Sequence, residues 1–567
     1  MESSTEHPKL FGRAFYESLG SPKVILAPMV DQSEFAWRML TRSFMKPEKS
    51  RDLLAYTPMF HARLFHETAN VRDTHFNPIR NGLRRKLSPP TDPKEIYLDG
   101  NPIIDRPLFV QFCANDPDDL LQAAEYVAPF CDAVDLNLGC PQGIAKRGNY
   151  GAFLQEDWQL IHSLISNLHN NLPIPVTAKF RIQETAEKTL EYAKMILSAG
   201  ASIITVHGRQ RHQKGHETGL ADWSVIRYLR EHLPKETVIF ANGNILQHSD
   251  IARCLQETGA DGVMSAEGNL NDPAIFSEPP PAGEEGREYW RGKDGKGGYR
   301  MDAIFRRYLD VIYKYVLEKE PPPRKPLFIP SDLPSPPQDT SSVSAAPDTS
   351  ALAESEEPPR KRARQSKKAT RCTDPNLVAM QSHLFSLLRP LASKHHNVRD
   401  ALARTRAGNI DSFEQVLSLA EEAIKEGLLE YKEHSEGFEE KDSEENNQAE
   451  GTTTTADKEE ESEMESSKAA VRRCRRPFWV CQPYVRPMPK EALEKGSLTL
   501  SKKDKAKLAA AEATAAIAAA GVTGKTKKDD TVQEVANNAV TEKIDATTTV
   551  DVGDNRDKMK RELLVAG

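Results

Sequence analysis

Between residues 24 and 268 the chain alternates eight times between a short apolar run and a stretch whose apolar residues recur every three or four positions. The runs span 24–29, 53–60, 108–114, 133–139, 176–182, 202–208, 238–245 and 262–268. Most are apolar at nearly every position rather than every second one, which suits strands of a parallel sheet covered by helices. The segments between them, such as Leu120-Leu121-Ala124-Val127 and Leu190-Ala193-Met195-Ile196-Leu197, have helical spacing, the second stopping at Gly200 as a C-cap. Eight β/α units in about 250 residues predict the α/β class and a (β/α)8 TIM barrel rather than an open doubly wound sheet. The second unit is irregular: residues 72–105 are polar, contain proline and carry Arg84-Arg85-Lys86, which predicts a surface excursion.

The remainder of the 567 residues reads differently. After an N-terminal extension (1–20) and the barrel (21–285), helical spacing returns over 295–320 through Ile304, Tyr308, Val311, Ile312 and Tyr315, and over 372–432 through Leu384, Leu387, Leu391, Val398, Phe413, Val416 and Leu417. These two stretches predict one small all-α domain interrupted by a Pro/Ser/Ala-rich insertion, 321–371, too polar to bury a core. An acidic stretch (433–470), a basic-aromatic motif (471–490) and a mostly disordered tail (491–567) follow. The seven cysteines are scattered and the opening Met1-Glu-Ser-Ser-Thr-Glu has no apolar core, so free thiols in a reducing compartment are expected. No apolar run approaches the roughly 18 residues of a membrane span. The basic run at 358–364 reads either as an import signal or as a solvated linker, which leaves cytoplasm and nucleus both open.

A barrel keeps its reactive groups at the carboxyl ends of its strands. Candidate residues gather there: Pro28-Met29 ending the first strand with Val30 next to them, Gln111 in the third, Asn137 and Cys140 on the fourth, Lys179 and Arg181 on the fifth, His207 on the sixth, Asn242-Gly243-Asn244 on the seventh, Ala266-Glu267 on the eighth. Alone, Cys140 could be a core cysteine, as Cys113, Cys131 and Cys254 are expected to be. At a strand end it could be a general acid, since an ordinary thiol, with a pKa of about 8.5, is mostly protonated at neutral pH. Acting as a nucleophile would require a base, for which His207 is available. A lone lysine within Val176-Thr-Ala-Lys-Phe-Arg-Ile either lines the mouth or strains the strand, and an anionic or electron-rich ligand would resolve the tension. The loops after the last two strands suit a phosphate. His207, His212 and His216 match no strong metal motif, Cys474 and Cys481 lack a second pair at zinc spacing, and the Gly-Lys-Thr at 524–526 follows no strand, so neither a metal nor a phosphate-binding loop is expected.

The set Ala27-Pro28-Met29, Val110-Gln111, Leu136-Asn137-Leu138-Gly139-Cys140-Pro141, Ala178-Lys179-Phe180-Arg181, Val206-His207-Gly208-Arg209 and Asn242-Gly243-Asn244 resembles the tRNA-dihydrouridine synthases. The wording after the cysteine, Gln142-Gly-Ile-Ala-Lys146-Arg-Gly148, is similar to a eukaryotic branch acting at positions 16 and 17 of the tRNA D-loop. The resemblance implies FMN as cofactor, NADPH or NADH as reductant, tRNA as substrate, and a helical domain that docks RNA. It implies that Pro28, Met29, Val30, Gln111, Lys179, His207, Asn242, Gly243, Asn244, Ala266 and Glu267 hold FMN. Asn137 and Arg181 would position a flipped uracil, to which Cys140 gives a proton opposite the hydride. Many relatives have Gly-Arg where this chain has Ala266-Glu267, so a phosphate there would have to be held by backbone amides rather than by an arginine at that position. With no Gly-x-Gly-x-x-Gly after a strand, transient nicotinamide binding on the open face is expected. A monomer without membrane contact is expected, the basic-aromatic motif reads as an RNA contact, and the competing readings are a reductase of free pyrimidines and a catalytically idle RNA-binding protein.

Overall fold

The computed structural model describes residues 9–80, 82–83, 93–215, 218–293, 295–332, 372–434, 480–481, 484, 486–489 and 491. Its parallel sheet contains β1 (Val24–Leu26), β2 (Leu53–Tyr56), β3 (Phe60–His61), β4 (Leu108–Cys113), β5 (Ala133–Leu138), β6 (Val176–Arg181), β7 (Ile203–His207), β8 (Val238–Asn242) and β9 (Gly262–Ser265). The order is β2-β1-β9-β8-β7-β6-β5-β4-β3, and pairing of β2 with β4 closes the ring. The run predicted as one strand at 53–60 is divided by Thr57-Pro58-Met59 into β2 and β3, which both pair with β4, so the barrel has eight staves. Helices α1 (Gly12–Ser18), α2 (Phe35–Arg42), α3 (Ala62–Glu67), α4 (Ala69–His75), α5 (Pro117–Val127), α6 (Gly143–Gly148), α7 (Trp158–Asn171), α8 (Ala186–Ser198), α9 (Trp223–His232), α10 (Ser249–Thr258) and α11 (Glu267–Asn271) precede, follow or connect the strands.

The helix starts are written in the sequence. Asp116, Asp157, Thr185 and Asp222 accept backbone N–H bonds at the first turns of α5, α7, α8 and α9, and Pro117 adds a preset φ to α5. The strands obey period two. Gln111, Asp135 and Thr177 are hydrogen-bonded to one another inside the barrel, so the odd-numbered residues of β4, β5 and β6 face inward. Even-numbered Phe112 and Phe180 instead meet Phe65 of α3 and Tyr192 of α8. Both faces are therefore covered, which is why the strands read as continuously apolar.

The excursion at 72–105 departs from the expected surface loop. Its far end turns inward, where the buried Arg38 of α2 donates to Asp105 at 2.9 and 2.6 Å and to Asp99 at 2.7 Å. Both carboxylates are buried, so the segment is clamped to the barrel by an ion triad that its polar composition concealed. Arg84, Arg85 and Lys86 lie outside the described residues.

After the barrel come a small hairpin, β10 (Tyr289–Arg291) and β11 (Gly297–Tyr299), which the sequence did not announce, and then the helices α12 (Met301–Val311), α13 (Pro375–Leu387), α14 (Arg389–Lys394), α15 (His396–Arg404) and α16 (Ile410–Glu433). α12 continues into a π-helical turn, Ile312–Val316, ahead of Pro321. The helical segments share one apolar core with the barrel. Asn376 of α13 accepts the backbone N–H of Ala36 at 2.9 Å, capping α2 from a distant part of the chain. Gln32 donates to Ser382 at 2.9 Å beside it.

The chain divides into two units, Met1–His212 with Leu220–Arg486, and Gln213–Gly219 with Pro487–Gly567. In the second, Thr218 donates to the Gly215 carbonyl at 2.7 Å and the Met488 N–H to Glu491 at 3.1 Å. The insertion beyond residue 332 with its basic run, the acidic stretch beyond 434 and most of the basic-aromatic motif lie outside the described residues. No described helix is long and apolar enough to cross a membrane.

Candidate active site at the barrel mouth

The inward parity of β4 to β7 stacks the polar side chains in layers. Thr177, Lys179 and Arg181 climb β6 toward its carboxyl end, in register with Asp135 and Asn137 of β5 and with Thr205 and His207 of β7. The lower layer is a closed hydrogen-bond chain. Asp135 accepts from Thr177 at 2.6 Å and from Gln111 Nε2 at 2.8 Å, and Gln111 Oε1 accepts from Asn137 Nδ2 at 2.8 Å. This fixes the Asn137 amide with its oxygen toward the strand end, where it accepts the N–H groups of Gly139 at 3.1 Å and Cys140 at 2.9 Å. Gln111 and Asn137, predicted as a flavin ligand and a base-positioning residue, are thus one device that orients the turn bearing Cys140.

The turn is clamped from the other side as well. Arg181 Nε donates to the Gly139 carbonyl at 2.8 Å and its Nη1 to the Gln210 carbonyl at 3.1 Å. Ala152 N–H reaches the Cys140 carbonyl at 3.1 Å. Gly151 sits at φ +64°, and a Cβ there would stand 2.9 Å from the Cys140 carbonyl oxygen and 3.0 Å from its Cβ, so only glycine lets the loop close. Cys140 is half-buried and packs on a small cluster of Cys113, Ala145 and Tyr150. Cys113, Cys131 and Cys254 are buried, and burial pushes all three thiols up in pKa.

The electrostatics of the mouth are dominated by cations. Burial, assisted by Arg181, brings Lys179 down to about 8, with Asp135 acting the other way. Burial pushes Asp135 up to about 6 against its hydrogen bonds and the lysine charge. Arg181 is lowered to about 10 by burial and by Arg209. Arg209 is also lowered to about 10 by burial, with Glu267 opposing and Arg486 reinforcing the shift. Burial and the three neighbouring cations hold His207 well below the usual imidazole range, so it is neutral. Arg209 Nη1 lies 3.0 Å from His207 Nε2, and a guanidinium can only donate, so the ring proton is on Nδ1. With Nε2 engaged in this way, His207 is not placed to serve as a base for Cys140.

The loops after β8 and β9 complete the rim. Asn244, at φ +62°, accepts from Arg209 at 3.1 Å and from Ala221 N–H at 2.9 Å. Asn242 is buried and donates to the Met264 carbonyl at 3.0 Å, a strut between β8 and β9, and Trp223 Nε1 holds the Gly243 carbonyl at 3.0 Å. Gly268 lets the two loops touch, since a Cβ there would meet the Ile245 carbonyl oxygen at 2.1 Å. Glu267 forms an ion pair with Arg486 at 3.0 Å, and Ala266 is half-buried beside it. On the first loop Met29 is buried, Pro28 half-buried and Val30 38% exposed, ahead of Asp31 at φ +56°. Sequence reasoning assigned no role in the site to Asp135 or Arg209, and placed Arg486 in a motif read as an RNA contact. Asp135 carried a usable signal, an acid two residues before Asn137 in an otherwise apolar strand; nothing in the sequence signalled the pairing of Arg486 with Glu267. Among the described residues the grouping with metal-ligand character is His66, Glu67 and Asp119, on α3 and α5, where His66 Nε2 is 2.8 Å from Asp119.

Amides, a buried acid and several cations around an open mouth fit a flat heterocycle with carbonyl groups and an attached phosphate. They suit an anionic, phosphate-bearing ligand better than a neutral one, because cations predominate at the mouth.

The dihydrouridine synthase (Dus) family profile matches residues 25–290. The tRNA-dihydrouridine(16/17) synthase [NAD(P)(+)] of Schizosaccharomyces pombe is 41% identical over 481 residues, covering 85% of this chain and 92% of that relative. The Saccharomyces cerevisiae protein of the same name is 40% identical over 482 residues, covering 85% and 87%. A mouse tRNA-dihydrouridine(20a/20b) synthase-like protein is 34% identical over 259 residues, 45% of this chain and 68% of that relative. Agreement with the yeast proteins runs well past the barrel, since it covers 85% of the chain, and together with the barrel match it makes this chain a member of the dihydrouridine synthase family.

Proposed function

We propose that the protein is a tRNA-dihydrouridine synthase that reduces uridine to 5,6-dihydrouridine with NAD(P)H as the source of electrons, acting in the D-loop at positions 16 and 17. The observation that carries this reading is the Cys140 turn, held by Asn137 and Arg181 at the edge of a mouth lined with cations. FMN, when bound, supplies the hydride chemistry that an isolated uracil ring cannot undergo with side chains alone.

The protein supplies placement and a proton. Lys179, Arg181 and the neutral His207 would provide donors for the flavin's electron-rich edge, while the Asp135–Gln111–Asn137 chain keeps the amides from rotating. Cys140 Sγ holds the proton delivered to C5 of a flipped uracil, and the hydrogen bonds on its backbone fix the sulfur's height above the mouth. Asp135 lies a layer lower, where it anchors the amides instead of exchanging protons with substrate.

The helical segments fused to the barrel core favour a folded RNA over a free base as substrate. On the same reading the protein acts as a monomer, needs no metal, and works in the cytoplasm, the nucleus or both. The test is a reaction of purified protein with NADPH and unmodified tRNA, with dihydrouridine mapped position by position and free uracil as a parallel substrate. Reduction of free uracil but not tRNA would convert the reading to a pyrimidine reductase. A colourless protein without turnover would leave an RNA-binding protein.

A further inference from the structure

Although most of the basic-aromatic motif lies outside the described residues, Val480, Cys481, Tyr484 and Arg486 are docked on the barrel and helical core. Val480 and Cys481 are buried, and the Val480 carbonyl accepts the N–H of Met301 at 2.9 Å. Tyr484 lies under the guanidinium of Arg389, 3.6 Å from ring centroid to carbon. Arg486 then pairs with Glu267, 219 residues earlier in the chain, at the head of α11. Tyr484 and Arg486 therefore make contacts within the protein.

The position of Arg486 matters more than the docking itself. Glu267 follows the last barrel strand, Asn244 the one before it, and Arg209 bridges His207 to Asn244. The charges that Arg209 feels most are Glu267 and Arg486. The Arg486–Glu267 pair thus stands at the loop after the eighth stave and the Arg209–Asn244 contact at the loop after the seventh, two loops that touch at Gly268 and Ile245, where barrels of this kind commonly bind a phosphate. Counting inward, Arg486, Arg209, Arg181 and Lys179 lie one after another along this side of the mouth, with Glu267 and Asp135 acting against them, and an anion would be favoured there.

We propose that Arg486, carried back by the C-terminal segment, is a ligand of the flavin phosphate together with Arg209, and that Glu267 is the internal counter-ion that holds it in place. This rests on the FMN reading of the site. It gives this chain a guanidinium at the phosphate from outside the barrel sequence, and makes the C-terminal segment part of the cofactor site. A planar fork suits a phosphate, which it can grip through two parallel N–H bonds. Glu267 positions the fork, and a glutamine at 267 would keep an acceptor for it while removing the negative charge that opposes the phosphate.

The experiment compares FMN with riboflavin, which lacks the phosphate, by fluorescence titration of the deflavinated full-length protein. In Arg486→Ala the affinity for FMN should fall about tenfold or more with riboflavin binding unchanged, the loss expected for a hydrogen bond to a charged group. Arg486→Lys should recover part of the preference, and Glu267→Gln should strengthen FMN binding alone. Equal weakening of both flavins in Arg486→Ala would make Arg486 a structural strap and overturn the proposal. An unchanged preference for FMN combined with weaker, less salt-dependent tRNA binding would overturn it in favour of an RNA contact. If the wild-type protein binds neither flavin, the FMN reading falls first and the proposal with it, an outcome distinct from the other two.

Discussion

The imidazole of His383 lies flat on the indole of Trp37, with centroids 3.9 Å apart and planes 6° from parallel. Trp37 belongs to α2 on the barrel and His383 to α13, and both side chains are buried. His383 Nε2 donates to both carboxylate oxygens of Glu34 at 3.0 Å, while Trp37 Nε1 donates to Asn269 of α11 at 2.7 Å. One stacked pair therefore joins the helical domain, the first barrel helix and the turn that carries Glu267.

His383→Ala removes the stack and leaves a buried carboxylate without its donor. It should cost roughly 2–4 kcal/mol in urea unfolding. The damage should also appear as faster hydrogen exchange in α13. A loss under about 0.5 kcal/mol would show that the stack is incidental to domain docking.

Cys140→Ala should retain bound flavin and its reduction by NADPH, because neither needs the thiol. Reduction of tRNA should fall by about 10²- to 10⁴-fold, the usual contribution of a positioned general acid. Stopped-flow bleaching of the flavin, followed by mixing with tRNA, separates the two halves. Normal dihydrouridine formation by the variant would remove Cys140 from the proton-donor role.

Lys179 gives a pH signature whose sign is fixed by its depressed pKa, about 8. Below that pH the ammonium is present and can meet an electron-rich ligand edge; above it the free protein loses the charge. A ligand that prefers the charged form takes up a proton on binding at high pH, so flavin affinity should decline as pH rises beyond about 8, by up to about tenfold per unit. Lys179→Gln should bind more weakly at pH 7 and lose the slope. A wild-type slope in the variant would assign the titration elsewhere.

Gly151→Ala tests the turn rather than the thiol. A side chain at φ +64° costs about 1–2 kcal/mol, and the new Cβ would press on the Cys140 carbonyl. Flavin binding should be preserved while tRNA reduction slows, readable as a change in kcat with little change in flavin Kd. Unaltered kcat would mean that the loop relaxes without moving the sulfur.

Much of this site could be read from the chain because barrel strands place function by position. Cys140, Lys179, Arg181 and His207 are polar residues at the ends of apolar runs, and the runs themselves announce the eight staves. What the sequence hid is long-range. The Arg38–Asp99–Asp105 triad turns a polar, apparently exposed segment inward, and its partners are 61 and 67 residues apart. Arg486 reaches Glu267 across 219 residues, a distance over which no spacing rule operates. The β10–β11 hairpin went unseen because Gly297-Gly298 lacks the side chains by which a strand is recognised.

The inward parity of β6 sets a discontinuity in how this chain can change length. One residue gained or lost ahead of Thr177, within an intact strand, would turn every side chain of the strand to the opposite face. Lys179 and Arg181 would then be driven into the apolar space beneath α8 while Ala178 and Phe180 faced the mouth. Two residues would restore the face but move the cations about 6.6 Å along the barrel axis direction of the strand, past the Asp135 and Asn137 layers that meet them. The loops around this strand can drift in length by single residues; the strand itself cannot.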